Sequence, residues 1–157
     1  MATIWEMTKY IQILLILLTL SACEQNANEM KTPENANEKF SEFIAKKKFV
    51  EQPYPNFYPG ISDEKMLPIF TKKINEIASD FKTVAESKKP TDKKYQEKIG
   101  IGLSRFAKIY LELDTEDRER VCTYIEELMD IVELESSNGQ LNKFMYGFDP
   151  NELIKEK

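Results

Sequence analysis

Residues 67–85, LPIFTKKINEIASDFKTVA, carry the strongest structural signal in the chain. Their apolar side chains recur at intervals of three and four residues, which places them on one face of an α-helix. The stripe consists of Leu67, Phe70, Ile74, Ile77, Phe81 and Val84. We expect Ser62 to cap the start of this helix, and Pro68 is tolerated there only within the first turn. The stretch therefore predicts an amphipathic helix that buries one face in a core.

The same periodicity appears on both sides of this segment and predicts four further helices. A short first helix contains Phe40, Phe43 and Ile44. A third helix starts at Thr91 or Asp92, a fourth is capped by Asp114 or Thr115, and a short final helix follows Gly139. No segment shows the alternation of a strand. The sequence therefore predicts an all-α fold, a small bundle of four to five helices over residues 39–157.

The predicted third helix contains two glycines, Gly100 and Gly102, although glycine costs about 1 kcal/mol relative to alanine inside a helix. Its apolar stripe is formed by Tyr95, Ile99, Leu103, Phe106 and Tyr110. We expect another helix to cross closely at the glycines. Close approach of the backbone to a ligand is the less favoured alternative.

Composition excludes several classes of function. The 157 residues suit one domain, and the net charge of -5 disfavours nucleic acid binding, which needs a basic surface. The chain has no histidine, so it holds neither a Ser-His-Asp or Cys-His hydrolase nor a histidine-containing zinc site. With two cysteines, a zinc ribbon or a disulfide framework is also excluded. We therefore expect no metal and no cofactor.

The amino-terminal segment looks like an export signal. Residues 11–20 are mostly apolar, too short to span a bilayer as a helix but typical of the hydrophobic region of a signal peptide. Leu20, Ser21, Ala22 and Cys23 then resemble the lipobox of bacterial lipoproteins at all four positions. That resemblance implies removal of residues 1–22 and attachment of fatty acyl chains to Cys23, which leaves Cys122 without a disulfide partner.

The lipobox also implies a location. The residue after Cys23 is Glu24 and not the aspartate that retains such proteins at the inner membrane, so the resemblance favours the outer membrane, facing the periplasm. Residues 23–38 contain NANE twice and few apolar side chains, which predicts a flexible linker. Because Glu6 partly cancels the charge of Lys9, we predict that Met7, rather than Met1, is the true start.

Two stretches are candidates for function. Residues 111–120 supply four carboxylates for a hydrolase that uses a carboxylate pair, Glu112, Asp114, Glu116 and Asp117. Acidic residues at a helix N-terminus are equally expected from capping and the helix dipole, and this structural interpretation is favoured. An EF-hand is excluded because its ligand spacing and central glycine are missing.

The second stretch is FVEQPYPNFYPG, residues 49–60. Its large aromatics could form a partner-binding surface or cover the end of the bundle, and the second is favoured because large aromatics are mostly buried. They are Phe49, Tyr54, Phe57 and Tyr58. Cys122 is expected to be a small buried hydrophobic residue, and the three lysines at 46–48 are interpreted as a solvated helix end.

Several stretches together resemble domain of unknown function 4844, an uncharacterised bacterial family. They are FVEQPYPNFYPGISDEK, GLSRF and LDTEDRERVCTYIEELMDIVELESSNGQLNKFMYGFDP. The resemblance implies no activity and no site residues. We therefore expect a non-enzymatic lipoprotein that binds another protein of the cell envelope, as an immunity protein or an assembly accessory does. The alternative is an envelope hydrolase that uses carboxylates alone.

Overall fold

The structure is a computed structural model that describes residues 28–55 and 57–147. Within these ranges the chain forms five α-helices and two short 3₁₀ helices, and no strand. The α-helices are α1 (Ala36–Ala45), α2 (Leu67–Ala85), α3 (Asp92–Ser104), α4 (Thr115–Ile131) and α5 (Gln140–Tyr146), and the 3₁₀ helices are Glu64–Met66 and Ala107–Glu112. The predicted all-α bundle is confirmed. None of these helices is long and apolar enough to cross a bilayer.

Helix α2 is at the centre of the bundle and packs against α1, α3 and α4. Its predicted apolar stripe is buried from Phe70 to Val84. Leu67 is an exception and is exposed, because it lies in the first turn, at the end of the bundle. Burial of such a stripe against three neighbours is the main term that stabilises the fold.

Side chains cap the starts of three helical segments, and one of the predicted caps is wrong. Asp63, and not Ser62, caps the helical segment before α2, because its carboxylate accepts a hydrogen bond from the Lys65 N–H at 3.0 Å. Pro68 lies in the first turn of α2, as expected. Thr91 caps α3, and Asp114 caps α4 by accepting a hydrogen bond from the Asp117 N–H at 2.7 Å.

The two glycines of α3 mark close contacts with other helices, as predicted. A Cβ atom on Gly102 would lie 2.6 Å from Cγ1 of Ile77 in α2, so α2 and α3 approach there at a distance that a side chain would prevent. A Cβ on Gly100 would meet Oε1 of Gln140 in α5 at 2.9 Å. Helix α3 ends at Ser104, however, and Tyr110 lies in the following 3₁₀ helix rather than on the α3 stripe.

The predicted linker, residues 23–38, is wrong from residue 28 onward. Helix α1 begins at Ala36, which is fully buried, and residues 28–35 lie against the bundle. The Met30 N–H donates to the Pro90 carbonyl at 2.9 Å, and the Thr32 hydroxyl donates to the Ala85 carbonyl at 3.0 Å. These backbone contacts give order to a segment with few apolar side chains. The predicted signal peptide, Met7 and Cys23 lie outside the described residues.

Cys122 is buried between α4 and α5, as expected, and this predicts a pH dependence of stability. Burial, together with Glu126 and Glu119, raises the pKa of its thiol to about 12. The thiol of the unfolded chain ionises near pH 8.5. The contribution of the protonated Cys122 thiol to the free energy of unfolding is therefore complete below pH 8.5 and is lost as the pH rises toward 12.

We expect wild-type protein to lose about 1–2 kcal/mol of unfolding free energy between pH 8 and pH 10 relative to a Cys122→Val variant. Urea unfolding of both proteins at the two pH values measures this difference. Burial also raises the pKa of Tyr95 and Tyr124, but it does so in both proteins. The difference between the two pH profiles therefore reports the Cys122 thiol alone. Parallel pH profiles would contradict the prediction.

Candidate functional site

The segment of residues 49–60, called the aromatic-proline loop below, connects α1 to the start of α2 and lies against α4. Gln52 and Tyr58 form an antiparallel bridge, with backbone hydrogen bonds of 2.9 and 3.0 Å. Pro53 and Pro55 restrict the backbone between them, and the Tyr54–Pro55 peptide bond is cis. Asn56 is outside the described residues. The bridge between Gln52 and Tyr58 therefore closes the base of the loop.

Phe49 anchors the first end of the loop in the core. Its backbone N–H donates to the Tyr124 hydroxyl at 2.7 Å, and its ring packs on Phe70, with a centroid distance of 5.6 Å. The side chain is 3% exposed. Phe49 is therefore a core residue, as the favoured interpretation of this stretch expects, and it is not part of an exposed partner-binding surface.

Tyr58 anchors the other end and is equally buried, so it too is a core residue, as the favoured interpretation expects. Its hydroxyl donates to Oδ1 of Asp117 at 2.5 Å. Ser62 donates from its hydroxyl to Oδ2 of the same carboxylate at 2.7 Å. The guanidinium of Arg120 lies 4.5 Å from the centre of the Tyr58 ring and donates to the Gln52 side chain at 2.9 Å. Burial and the Asp117 carboxylate raise the pKa of Tyr58, so its hydroxyl stays a donor.

Tyr54 and Phe57 have the opposite environment. Tyr54 is 83% exposed and Phe57 is 54% exposed. Their rings stack on each other, with a centroid distance of 5.3 Å and an interplanar angle of 18°. The four aromatics predicted for partner binding therefore divide into two buried anchors and two exposed rings.

A groove with a volume of about 550 Å³ lies beside the exposed rings. One wall comes from the loop and includes Pro55 and Phe57. The other wall is a face of α4, with side chains three to four residues apart. These side chains are Glu116, Glu119, Arg120, Thr123 and Glu127. The arrangement combines apolar contact area with carboxylates, as a protein-binding surface does.

Helix α4 and its flanks are strongly acidic. Residues 112–135 contain ten Asp and Glu residues against two Arg residues, a formal charge of -8. This crowding is evident at Glu126, where partial burial and the charges of Asp130 and Glu119 raise the pKa of the carboxyl group. Glu126 and Asp130 lie outside the groove, on the part of α4 near α5.

The structure does not arrange the four predicted carboxylates as a catalytic pair. Glu112, Asp114 and Glu116 are exposed, and of the four only Glu116 lines the groove. Asp117 is fully buried and holds Tyr58 and Ser62 in place. In the part of the chain that the structure describes, no group of three or more histidine, cysteine or acidic side chains is placed to hold a metal ion.

The interpretation of residues 46–48 as a solvated helix end is wrong for Lys48. Its side chain is buried, and its ammonium group donates to the carbonyls of Phe43 and Lys46 at the end of α1. Burial and the neighbouring Lys46 lower its pKa to about 8. Lys46 pairs with Glu127 of α4. Lysines near a helix C-terminus commonly donate hydrogen bonds to its last carbonyl groups. The position of Lys48 just after α1 was therefore a signal in the sequence for this role.

Sequence reasoning also missed the structural roles of Arg120, Gln52 and Ser62. The sequence did contain a signal that Asp117 is buried. It lies four residues before Val121, so it extends the buried stripe of α4 by one turn. An acidic residue on that face needs buried donors. Their identity depends on the path of the loop, which no local pattern specifies.

Comparisons with known proteins agree with this architecture. No match was found among curated proteins. The crystal structure of a DUF3571 family protein from Acinetobacter baumannii AYE is similar, with a TM-score of 0.65 and 31% sequence identity. The match covers 77% of this chain and 99% of that one. The model of the family described as domain of unknown function (DUF4844) matches residues 31–149, so the chain belongs to the DUF4844 family.

Proposed function

We propose that this chain is a lipid-anchored protein of the bacterial cell envelope whose helical domain binds another protein through the tip of the aromatic-proline loop. The observation that carries the proposal is the stacked, exposed pair of Tyr54 and Phe57 beside the groove. Large aromatics dominate binding energy at protein interfaces. A monomeric surface gains nothing from exposing both rings at one loop tip.

The loop is suited to binding because its base is fixed before a partner arrives. Phe49 and Tyr58 hold both ends in the core, and Arg120 ties Gln52 to α4. A preorganised loop loses little conformational entropy on binding. The acidic wall of the groove favours a partner with a basic surface. An immunity protein that neutralises a basic toxin, or an accessory to envelope assembly, fits this chemistry.

Affinity capture from envelope extracts tests the proposal with two bait variants. A Tyr54→Ser/Phe57→Ser bait should lose at least tenfold of the captured partner, because two central aromatic contacts contribute about 2 kcal/mol or more. A Leu111→Ser bait is the matched control, since Leu111 is 95% exposed and lies outside the groove. Equal capture by wild-type and double-variant baits would overturn the proposed binding surface.

The lipid anchor has a separate test at Cys23. We expect a Cys23→Ser variant to lose all incorporation of a fatty-acid probe, because the thiol that accepts the lipid is removed. Several acyl chains give stable membrane anchoring, so the variant should also leave the membrane fraction. Unchanged labelling of the variant would show that the lipobox is not used.

A further inference from the structure

We propose that the lysine-rich turn between α2 and α3 contacts an anionic lipid surface and orients the domain on the membrane. The inference rests on the lipid anchor of the proposed function. It adds a surface, the turn of residues 86–94, and a ligand class, anionic phospholipid headgroups. The supporting observations are the place where the anchored chain enters the domain and the distribution of charge around that place.

The chain enters the described domain along this turn. The carbonyl of Asn28 accepts a hydrogen bond from the Asp92 N–H at 3.2 Å, and the Met30 N–H donates to the Pro90 carbonyl. Glu29 forms a β-bridge with Thr91. The backbone next to the proposed anchor is therefore bonded directly to the α2–α3 turn.

The distance from the anchor is short. Cys23 and Asn28 are five residues apart, a span of at most about 18 Å. A lysine side chain covers part of that distance, and charges attract over about 8 Å at physiological salt. A lipid on Cys23 consequently holds the turn within reach of the headgroups, whereas the far end of the bundle lies a full helix length away.

The turn presents a basic surface at that place. The turn contains four lysines against Glu86 and Asp92, a formal charge of +2. The entering segment carries Lys31 together with Glu29 and Glu34. Lys88, Lys89 and Lys93 are exposed, and Lys94 donates to the Lys89 carbonyl. Exposed lysines near an anionic bilayer are attracted to it, each by about fivefold in partitioning.

Several carboxylates lie near the entry point. A groove beside Asn28 is lined by acidic residues and contains no lysine; its acids are Asp92, Glu133 and Glu135. Glu29 is exposed beside the bridge. An anionic lipid surface attracts the lysines of the turn and repels Glu133 and Glu135 after α4. These opposite forces set the tilt of the domain relative to the membrane.

This orientation places the aromatic-proline loop far from the membrane. The loop leads into the N-terminus of α2, while the lysine turn follows its C-terminus. Helix α2 has 19 residues and is about 28 Å long. Tyr54 and Phe57 therefore point toward the compartment in which a partner diffuses.

Lysine acetylation of the reconstituted protein tests the orientation. The full chain, as processed by cells, is purified and inserted into vesicles of phosphatidylcholine alone or of phosphatidylcholine with phosphatidylglycerol. We expect Lys31, Lys88 and Lys89 to be acetylated at least fivefold more slowly in the anionic vesicles. Lys65 and Lys108, exposed toward the other end of α2, should react equally in both.

A matched pair of variants identifies the surface. Lys88→Gln/Lys89→Gln/Lys93→Gln should abolish the protection of Lys31, whereas Lys65→Gln/Lys72→Gln/Lys108→Gln should retain it. Equal acetylation rates in both vesicles, with lipid present on Cys23, would overturn the orientation and leave the proposed function intact. Absence of lipid on Cys23 would overturn both this inference and the anchor.

Discussion

Replacing Asp117 with alanine is expected to lower the free energy of unfolding by about 3 kcal/mol and to release the aromatic-proline loop. The fully buried carboxylate accepts hydrogen bonds from Tyr58 and Ser62. Its loss leaves the Tyr58 hydroxyl buried without its acceptor, and each such orphaned group costs about 1–3 kcal/mol. Urea unfolding measures the stability, and amide hydrogen exchange of residues 49–60 measures the release.

Asp114→Ala is the control for this variant. Asp114 is exposed and caps α4, so its loss should cost about 1 kcal/mol without changing exchange in the loop. A double-mutant cycle between Asp117→Ala and Tyr58→Phe should show at least 1 kcal/mol of coupling. Additive effects, or an unchanged loop in Asp117→Ala, would show that this carboxylate does not hold the loop.

Replacing Gly102 with alanine should destabilise the bundle by about 2 kcal/mol, although alanine is the better helix former. The new Cβ would lie 2.6 Å from Cγ1 and 2.8 Å from Cδ1 of Ile77, which is fully buried and has no space to move. Such overpacking costs about 1–3 kcal/mol or more, and it exceeds the gain of about 1 kcal/mol in helix propensity. Thermal and urea unfolding measure the difference.

Gly100→Ala is the matched substitution two residues earlier. Its Cβ would meet the end of the Gln140 side chain, whose amide group donates to Gln96. The cost of moving this side chain offsets the gain in helix propensity, so stability should change by less than about 1 kcal/mol. Ile77→Ala should make Gly102→Ala much less costly, because it removes the atoms that clash. Equal effects of the two glycine substitutions would contradict the close packing of α2 and α3.

The fold was predictable because its main signals are local. The stripe of α2 specifies a buried face, and the caps at Thr91 and Asp114 are chemical signals within four residues of the helices they start. The end of α3 was missed because tertiary packing turns the chain at Ser104 while the apolar pattern continues. The order of residues 28–35 was missed for a related reason, since hydrogen bonds to residues more than 50 positions away hold this segment together with the packing of Met30.

The candidate site was predictable as a segment but not residue by residue. The composition of residues 49–60 identified the loop, yet nothing local separates Tyr58 from Phe57. The difference arises from Asp117, which is 59 residues away along the chain and provides an acceptor at the buried position. Lys48 shows the same limit, because its place after α1 suggests a contact with the last carbonyls of the helix, yet nothing local shows which of the three lysines makes it.

Site-specific photocrosslinking in living cells tests most directly whether the loop tip binds a partner. A photoreactive phenylalanine analogue is placed at position 54 or at position 57, and at position 111 as the exposed control. We expect a discrete crosslinked protein from positions 54 and 57, and none from position 111. A loop tip that forms no crosslink, or only the products also formed at position 111, would contradict this expectation.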